Sequence, residues 1–249
     1  MSLLPRIGTS TVVRALLLGA FVVGVGGVLA AVRPDLMLVE HVRFEGLDQA
    51  RWAELRHLSD IRNGDRIWEV DPDRIARGVE RHPWVRRATV RRQLPDTVVV
   101  HVEEHHPVAL LHMGELYYVG ADGSIFLTAR NDDLDYPSIT GITPELEKQH
   151  PALPRLVVRD ALALIDALDS RGLVHRDRIH EVQFAPTRGF TVWAGEARIL
   201  FGLSNTDEQL DRLATLLSHG RVDLSRPLHV DLGPKSLAIV RALDPAAEG

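Results

Sequence analysis

Hydrophobic and polar positions follow three different rules along this chain. Residues 15–32, A-L-L-L-G-A-F-V-V-G-V-G-G-V-L-A-A-V, form one apolar run without a charge. At about 1.5 Å per residue a helix of that length reaches roughly 27 Å, close to the ~30 Å of a bilayer's hydrocarbon core. Val12 and Val13 lengthen the run if Arg14 snorkels, so a transmembrane helix is predicted over residues 12–32, with residues 1–11 as a cytoplasmic stub. Arg6, Arg14 and the terminal amine precede it, whereas Asp35 and Glu40 soon follow, which places the amino terminus in the cytoplasm and the remainder across the membrane. A cleaved signal peptide is the alternative, with Val28 and Ala30 as small residues at the cleavage site, but its apolar region normally runs only about 7–15 residues. A buried soluble helix is disfavoured by Gly24, Gly26 and Gly27. Small-residue pairs such as Ala20/Gly24 would admit a second helix closely.

After Pro34 the pattern becomes short and mixed. Leu38, Glu40, Val42 and Phe44 alternate with Val39, His41 and Arg43, a strand signal. Asp48 is placed to cap a helix whose Trp52, Leu55 and Leu58 recur at helical spacing, with Trp52 expected in the core. The next helix has Asp71 as cap, Pro72 at its first position, Ile75 and Val79 on the buried face, and Val70 placed to staple onto Ile75. Pro83 ends it. Residues 81–109 then supply a hairpin: Ala88, Val90, Arg92 and Leu94 on one face of a strand, the turn Leu94-Pro95-Asp96, and a partner strand with Val98, Val100 and Val102 inward and Val99, His101, Glu103 and His105 outward. Strand, helix, helix, strand, strand over residues 38–106 predicts a small α+β domain with its helices on one face of the sheet.

Beyond residue 107 strands dominate. Residues 116–119 and 124–127 flank an Asp122-Gly123 turn, and residues 136–141 form a strand ending at glycine. A helix from Pro154 to about Ser170 buries Val158, Ala161, Leu162, Ile165 and Leu168. A meander follows through residues 179–184, 191–193 and 198–201; Thr206 and Gln209 form a capping box for a helix burying Leu210, Leu213 and Leu217. Two closing strands, residues 228–232 and 237–241, precede a loose tail at 244–249, giving a mostly antiparallel β domain with two helices over residues 107–243.

Composition narrows the function. With 45% hydrophobic and 25% charged residues the chain is globular rather than disordered, and a formal charge of −5 offers no overall attraction to nucleic acid. The absence of cysteine removes disulfides, thiol catalysis and Cys-ligated zinc. No nucleophile elbow, phosphate-binding loop or zinc-protease signature is present, so no enzymatic activity and no cofactor are expected. His101, Glu103 and His105, with His106 beside them, carry metal-ligand chemistry, but alternate residues on one strand lie along a line instead of converging, and a solvated face is the expected reading. Arg86, Arg87, Arg91 and Arg92 form a basic cluster able to meet lipid headgroups or an acidic partner, with Glu103 and Glu104 on the adjoining strand to neutralise it.

The order Val42, Phe44, Gly46, Gly64, Asp71, Ile75, Pro83-Trp84-Val85, Ala88, Val90, Arg92, Leu94-Pro95, Val98, Val100, Val102-Glu103 and Pro107 resembles a POTRA domain, specifically that of the FtsQ/DivIB family of bacterial division proteins. Tyr118, Gly123, Phe126, the segment from Pro137 to Gly141, the two helices and the closing strands resemble the β domain of the same family. The resemblance implies a non-enzymatic, single-pass inner-membrane protein with its carboxy-terminal domains in the periplasm, which recruits FtsB and FtsL at the division septum. It also implies that the contact lies within residues 206–240, as strand addition at the last edge, through His229, Asp231, Lys235, Ser236, Ala238 and Val240; without the resemblance, residues 228–241 read equally as strands that only complete the sheet. One departure stands out: some relatives carry an aromatic residue after V-D-L-x, where this chain has Pro234. An outer-membrane assembly or secretion factor is the runner-up, although the long run of alternating strands a barrel needs is missing. An envelope hydrolase comes third.

Overall fold

The structure, a computed structural model, describes residues 20–21, 37–130, 135–234 and 237–242. The predicted membrane span falls outside the described residues except for Ala20 and Phe21, which are helical. Among the described residues, no helix is long and apolar enough to cross a membrane. The chain divides into two compact units, Met1–Glu104 and His105–Gly249.

The first unit runs β1 (His41–Glu45), α1 (Trp52–Ser59), α2 (Pro72–Val79), β2 (Val85–Gln93) and β3 (Thr97–Glu104), the order expected. Its sheet order is β1-β3-β2: β3 lies in the middle, parallel to β1 and antiparallel to β2. Alternation works as a folding instruction here, because Val98, Val100 and Val102 are all essentially inaccessible and meet Leu55, Ile75 and Val79 of the helices in one core. Asp71 caps α2 as predicted, its Oδ1 accepting from the backbone N–H groups of Asp73 and Arg74.

Three expectations in this unit fail. Trp52 is 51% exposed and meets the ring of Phe44 edge-on at 6.2 Å, so the helical stripe is carried by Leu55 rather than by the tryptophan. Asp48 does not cap α1; Arg51 occupies that position with no side-chain bond. The loop before the helix is held from far along the chain: the Glu104 carboxylate, buried at the end of β3, accepts from Asp48, Gln49 and Ala50 N–H at 3.0, 2.7 and 3.0 Å. Glu104 therefore does not neutralise the arginine cluster, a task left to Glu103, 2.6 Å from Arg86. Gly46 allows this crossing, since at φ +82 a Cβ there would lie 2.2 Å from the Val102 carbonyl oxygen.

The second unit runs β4 (Pro107–Met113), β5 (Glu115–Gly120), β6 (Ile125–Thr128), β7 (Ser138–Thr140), α3 (Pro144–Gln149), α4 (Leu153–Ser170), a 3₁₀ turn (Arg176–Arg178), β8 (Ile179–Ala185), β9 (Gly189–Ala194), β10 (Ala197–Phe201), α5 (Thr206–Ser218), β11 (Leu228–Asp231) and β12 (Ile239–Ala242). Among the described residues, its nine strands form one sheet in the order β12-β11-β10-β9-β8-β7-β4-β5-β6. Most pairings are antiparallel; β4 with β7, β7 with β8 and β10 with β11 are parallel. Val158, Ala161, Leu162, Ile165 and Leu168 of α4 are buried as predicted, and with Leu210 and Leu213 of α5 they share a core with Val182, Val192, Ile199 and Val230. Strand β4 and helix α3 were not foreseen. Gly141 ends β7 at φ +93, where a Cβ would lie 1.9 Å from the Phe184 carbonyl oxygen, a clash with main chain that only glycine avoids.

Candidate functional site

The nine-stranded sheet has two terminal strands, β6 and β12, and the predicted contact falls at the β12 end. β12 comes last in the strand order and pairs with β11 alone, in the register Leu228↔Ala242, His229↔Arg241, Val230↔Val240 and Asp231↔Ile239. All four of its residues are exposed. Three apolar side chains stand at this edge: Leu237 is 67% exposed, Ile239 37% and Val240 37%. Among the described residues, no hydrogen bond is seen on the outer side of β12.

Behind the edge the structure is held firmly. Val182, Val192, Ile199, Val230 and Val240 align across five strands, and the first four of these are fully buried under the helices. Val240 continues that row beyond cover. On the opposite face, Trp193, Arg198, His229 and Arg241 align in the neighbouring row, with the Arg198 guanidinium 5.0 Å from the Trp193 ring centroid. Burial lowers the His229 pKa from its ordinary value; Arg198, Arg188 and Arg241 add to the shift, and Asp231 opposes it. His229 is therefore held neutral at neutral pH, between two arginines.

Helix α5 ties the same region together. Arg212 Nη2 donates to the Leu232 carbonyl at 2.6 Å, fixing the helix to the end of β11. The predicted capping box is not formed. Asn205 takes the cap position at φ +61 without a side-chain bond, and Gln209 is buried, accepting from Gly202 N–H at 2.9 Å and donating to the Ser204 carbonyl at 2.7 Å. Its amide satisfies the backbone of the turn leaving β10, which a glutamine at that spacing does as well as a cap.

The residues predicted for the site divide accordingly. His229 lies on β11 in contact range of the edge row, and Val240 lies on the edge itself. Asp231 closes the turn after β11 by accepting from Gly233 N–H at 2.9 Å. Ala238 is half-buried and packs on the core. Lys235 and Ser236 lie outside the described residues. Leu237 and Ile239 were missed; the signal available was their place in an apolar run at the last strand, whose exposure depends on which strand ends the sheet.

The tempting histidine line dissolves. His105 leaves β3 and stacks on Phe126, with ring centroids 4.5 Å apart and a 10° interplanar angle, and its Nδ1 lies 3.3 Å from Ser124 Oγ. His101 and Glu103 stay on β3. Among the described residues, the acid–histidine group that does converge is Glu40, His41 and Asp96, each with a ligand atom within 4.8 Å of the others.

A β-α-α-β-β unit joined to a long, mostly antiparallel sheet with an open terminal strand defines the class: a POTRA-bearing protein with a second β-rich unit. The family model described as "POTRA domain, FtsQ-type" matches residues 37–105. The chain is 36% identical over 203 residues to the cell division protein FtsQ of Anaeromyxobacter sp. (strain K), spanning 80% of this chain and 69% of that relative. It is 32% identical over 206 residues to FtsQ of Geotalea daltonii, spanning 82% and 75% respectively. The cell division protein DivIB of Geobacillus kaustophilus matches over 80 residues at 29% identity, covering 32% of this chain and 31% of its own length. The chain belongs to the FtsQ/DivIB family of cell division proteins.

Proposed function

We propose that this protein is a component of the bacterial division machinery that works by recruitment rather than by catalysis. It anchors in the inner membrane through residues 12–32 and lies with its two folded units in the periplasm at the septum. Partners of the FtsB and FtsL type bind it, and the contact is made by a partner segment that adds as a strand beyond β12, linking early division proteins to septal wall synthesis.

The observation that carries this reading is the open edge itself: the terminal strand β12 with exposed Ile239 and Val240, and exposed Leu237 just before it. Edge strands in stable monomers are normally blunted by charge, proline or cover. Main-chain hydrogen bonds along a free edge supply affinity, and side-chain pockets on alternate positions supply selectivity. His229, Asp231, Lys235, Ser236, Ala238 and Val240 are the residues assigned to the contact, to which Leu237 and Ile239 are added.

The test replaces Val240 with proline, which removes a backbone donor from β12. Capture of the periplasmic segment of the FtsB-type partner should be lost while the first unit keeps its fold. Unchanged capture would remove the site. In cells, depletion should give filaments and a fluorescent fusion should concentrate at the septum; an evenly spread fusion with normal division would overturn the divisome reading itself.

A further inference from the structure

Three large apolar side chains of the first unit are exposed at one end of it, and neither its core nor its helices use them: Leu38 at 41%, Trp68 at 47% and Leu94 at 48%. Their backbones are brought together by specific bonds. Leu38 bridges Arg66, and Ile67 N–H donates to the Met37 carbonyl at 2.9 Å, so the segment carrying Trp68 lies beside the start of the unit. Arg92 Nε and Nη2 donate to the Val70 carbonyl at 3.1 and 2.7 Å, which brings the end of β2, next to Leu94, against that same segment. Glu40 and His41 N–H both donate to the Asp96 carbonyl, at 2.9 and 3.2 Å, which ties the hairpin tip back to the start of β1. Two leucines and a tryptophan thus stand around the point where the chain enters the unit.

That point is close to the predicted membrane span. Only residues 33–36 separate Val32 from Met37, and even a fully extended chain covers at most about 18 Å over those bonds. The headgroup zone on each side of the hydrocarbon core is itself roughly 5–8 Å deep. Short tethering of this kind raises the effective concentration of the surface for the bilayer without any further contact. Tryptophan, with an apolar ring and a polar N–H, favours that zone.

We propose that this end of the POTRA unit, with Leu38, Trp68 and Leu94 as its apolar contacts, rests in the interfacial layer of the membrane in which the chain is anchored and so sets the orientation of the unit to the bilayer. The inference rests on the anchoring put forward above. Charge does not drive the contact. Arg62, Arg66, Arg91 and Arg92 are accompanied at this end by Glu40, Asp65, Glu69 and Asp96, and Arg66 is already paired with Glu69 at 3.1 Å. A surface with both signs interspersed around an apolar centre suits zwitterionic headgroups and gains nothing from a strongly anionic leaflet.

The natural chain has no cysteine, so a single one can be introduced at will. Full-length Leu94→Cys, Trp68→Cys and Arg81→Cys, each carrying an environment-sensitive fluorophore, are reconstituted into phosphatidylcholine vesicles containing lipid with a nitroxide just below the headgroup. Arg81, exposed in the loop that leads into β2 at the opposite end of the strand, is the reference. Quenching at positions 94 and 68 should be several-fold stronger than at 81, should change little between low and high salt, and should fall toward the reference when Leu38→Asp is added. Equal quenching at 94 and 81 in chain retained after alkaline extraction overturns the contact and leaves the anchor standing. Chain lost on alkaline extraction overturns the anchor, and the contact with it. Quenching that appears only with anionic lipid and vanishes in salt assigns the contact to the arginines and overturns the apolar basis proposed here.

Discussion

Two terminal strands, β2 of the first unit and β12 of the second, are finished in opposite ways. In the first unit the terminal strand β2 carries Arg86, Arg87, Arg91 and Arg92, all exposed, and its Ala88 N–H is occupied by the Glu80 carboxylate at 3.0 Å. Arg92 is turned back onto Val70, and Arg86 is held by Glu103. In the second unit the terminal strand β12, with Leu237 just before it, offers Leu237, Ile239 and Val240 to solvent, and among the described residues nothing bonds to its outer side. Charge and an intramolecular plug make an edge unattractive to a further strand; exposed apolar residues and unpaired peptide groups do the opposite. The same kind of element is closed at β2 and left available at β12, and the available one has a firmly packed core behind it.

The largest effect bearing on this contrast is expected at the place that pins the guarded sheet. Glu104→Ala leaves the Asp48, Gln49 and Ala50 N–H groups without their acceptor at a buried site, which should cost about 3–5 kcal/mol and unfold the first unit well before the second. Two separated transitions in denaturant would show it; a single unchanged transition would mean the carboxylate is not what closes that loop. Next comes the open edge. Leu237→Lys with Ile239→Lys gives β12 the kind of charge that β2 already carries, and partner capture should weaken on the order of a hundredfold, about 2.7 kcal/mol, with stability altered by only about 0.5 kcal/mol.

The converse change comes third. Glu80→Ala, combined with Arg87→Thr and Arg91→Thr, frees Ala88 N–H and strips β2 of its guard; a cost of about 1–2 kcal/mol to the unit is expected, together with concentration-dependent self-association in sedimentation. A unit that stays monomeric would show that the arginines and Glu80 are not what closes this edge. The smallest effect is a pH dependence. His229 has a pKa below the ordinary 6.5 when folded, so between 6.5 and that lower value the unfolded chain binds more protons than the folded one. The stability of the β11–β12 edge should therefore be full above pH 6.5 and decline as pH falls through that window. His229→Gln should flatten the decline in hydrogen exchange of β12; an unchanged profile would exclude this histidine as its source.

Much of the framework was legible from pattern. Val98, Val100 and Val102 announced their buried face, Asp71-Pro72 announced a helix start, and the α4 stripe was read correctly, because each depends on neighbours within a few residues. Trp52 was misread because helical spacing says that a face is apolar, not that it is covered. Gln209 was misread because a glutamine at the capping-box position can equally turn to a neighbouring loop, and the shape of that loop, with Gly202 and Ser204 in reach, is set by where β10 ends. Glu104 shows the same limit at greater distance: its three hydrogen-bond donors lie 54 to 56 residues earlier in the chain.

Sequence alone determined the division into an apolar amino-terminal run, a β-α-α-β-β unit and a β-rich unit, and it carried the family resemblance that the comparisons establish. Both are stored in local periodicity and turn chemistry. The order of strands in the sheets was decided only in three dimensions. That β12 is terminal, that β11 joins β10 in parallel, and that Leu237 and Ile239 are therefore uncovered follow from nonlocal pairing, to which residues 228–242 contribute only one side. An apolar strand reads the same in sequence whether it lies at the centre of a sheet or at its edge; the packing around it decides whether it becomes core or a docking edge.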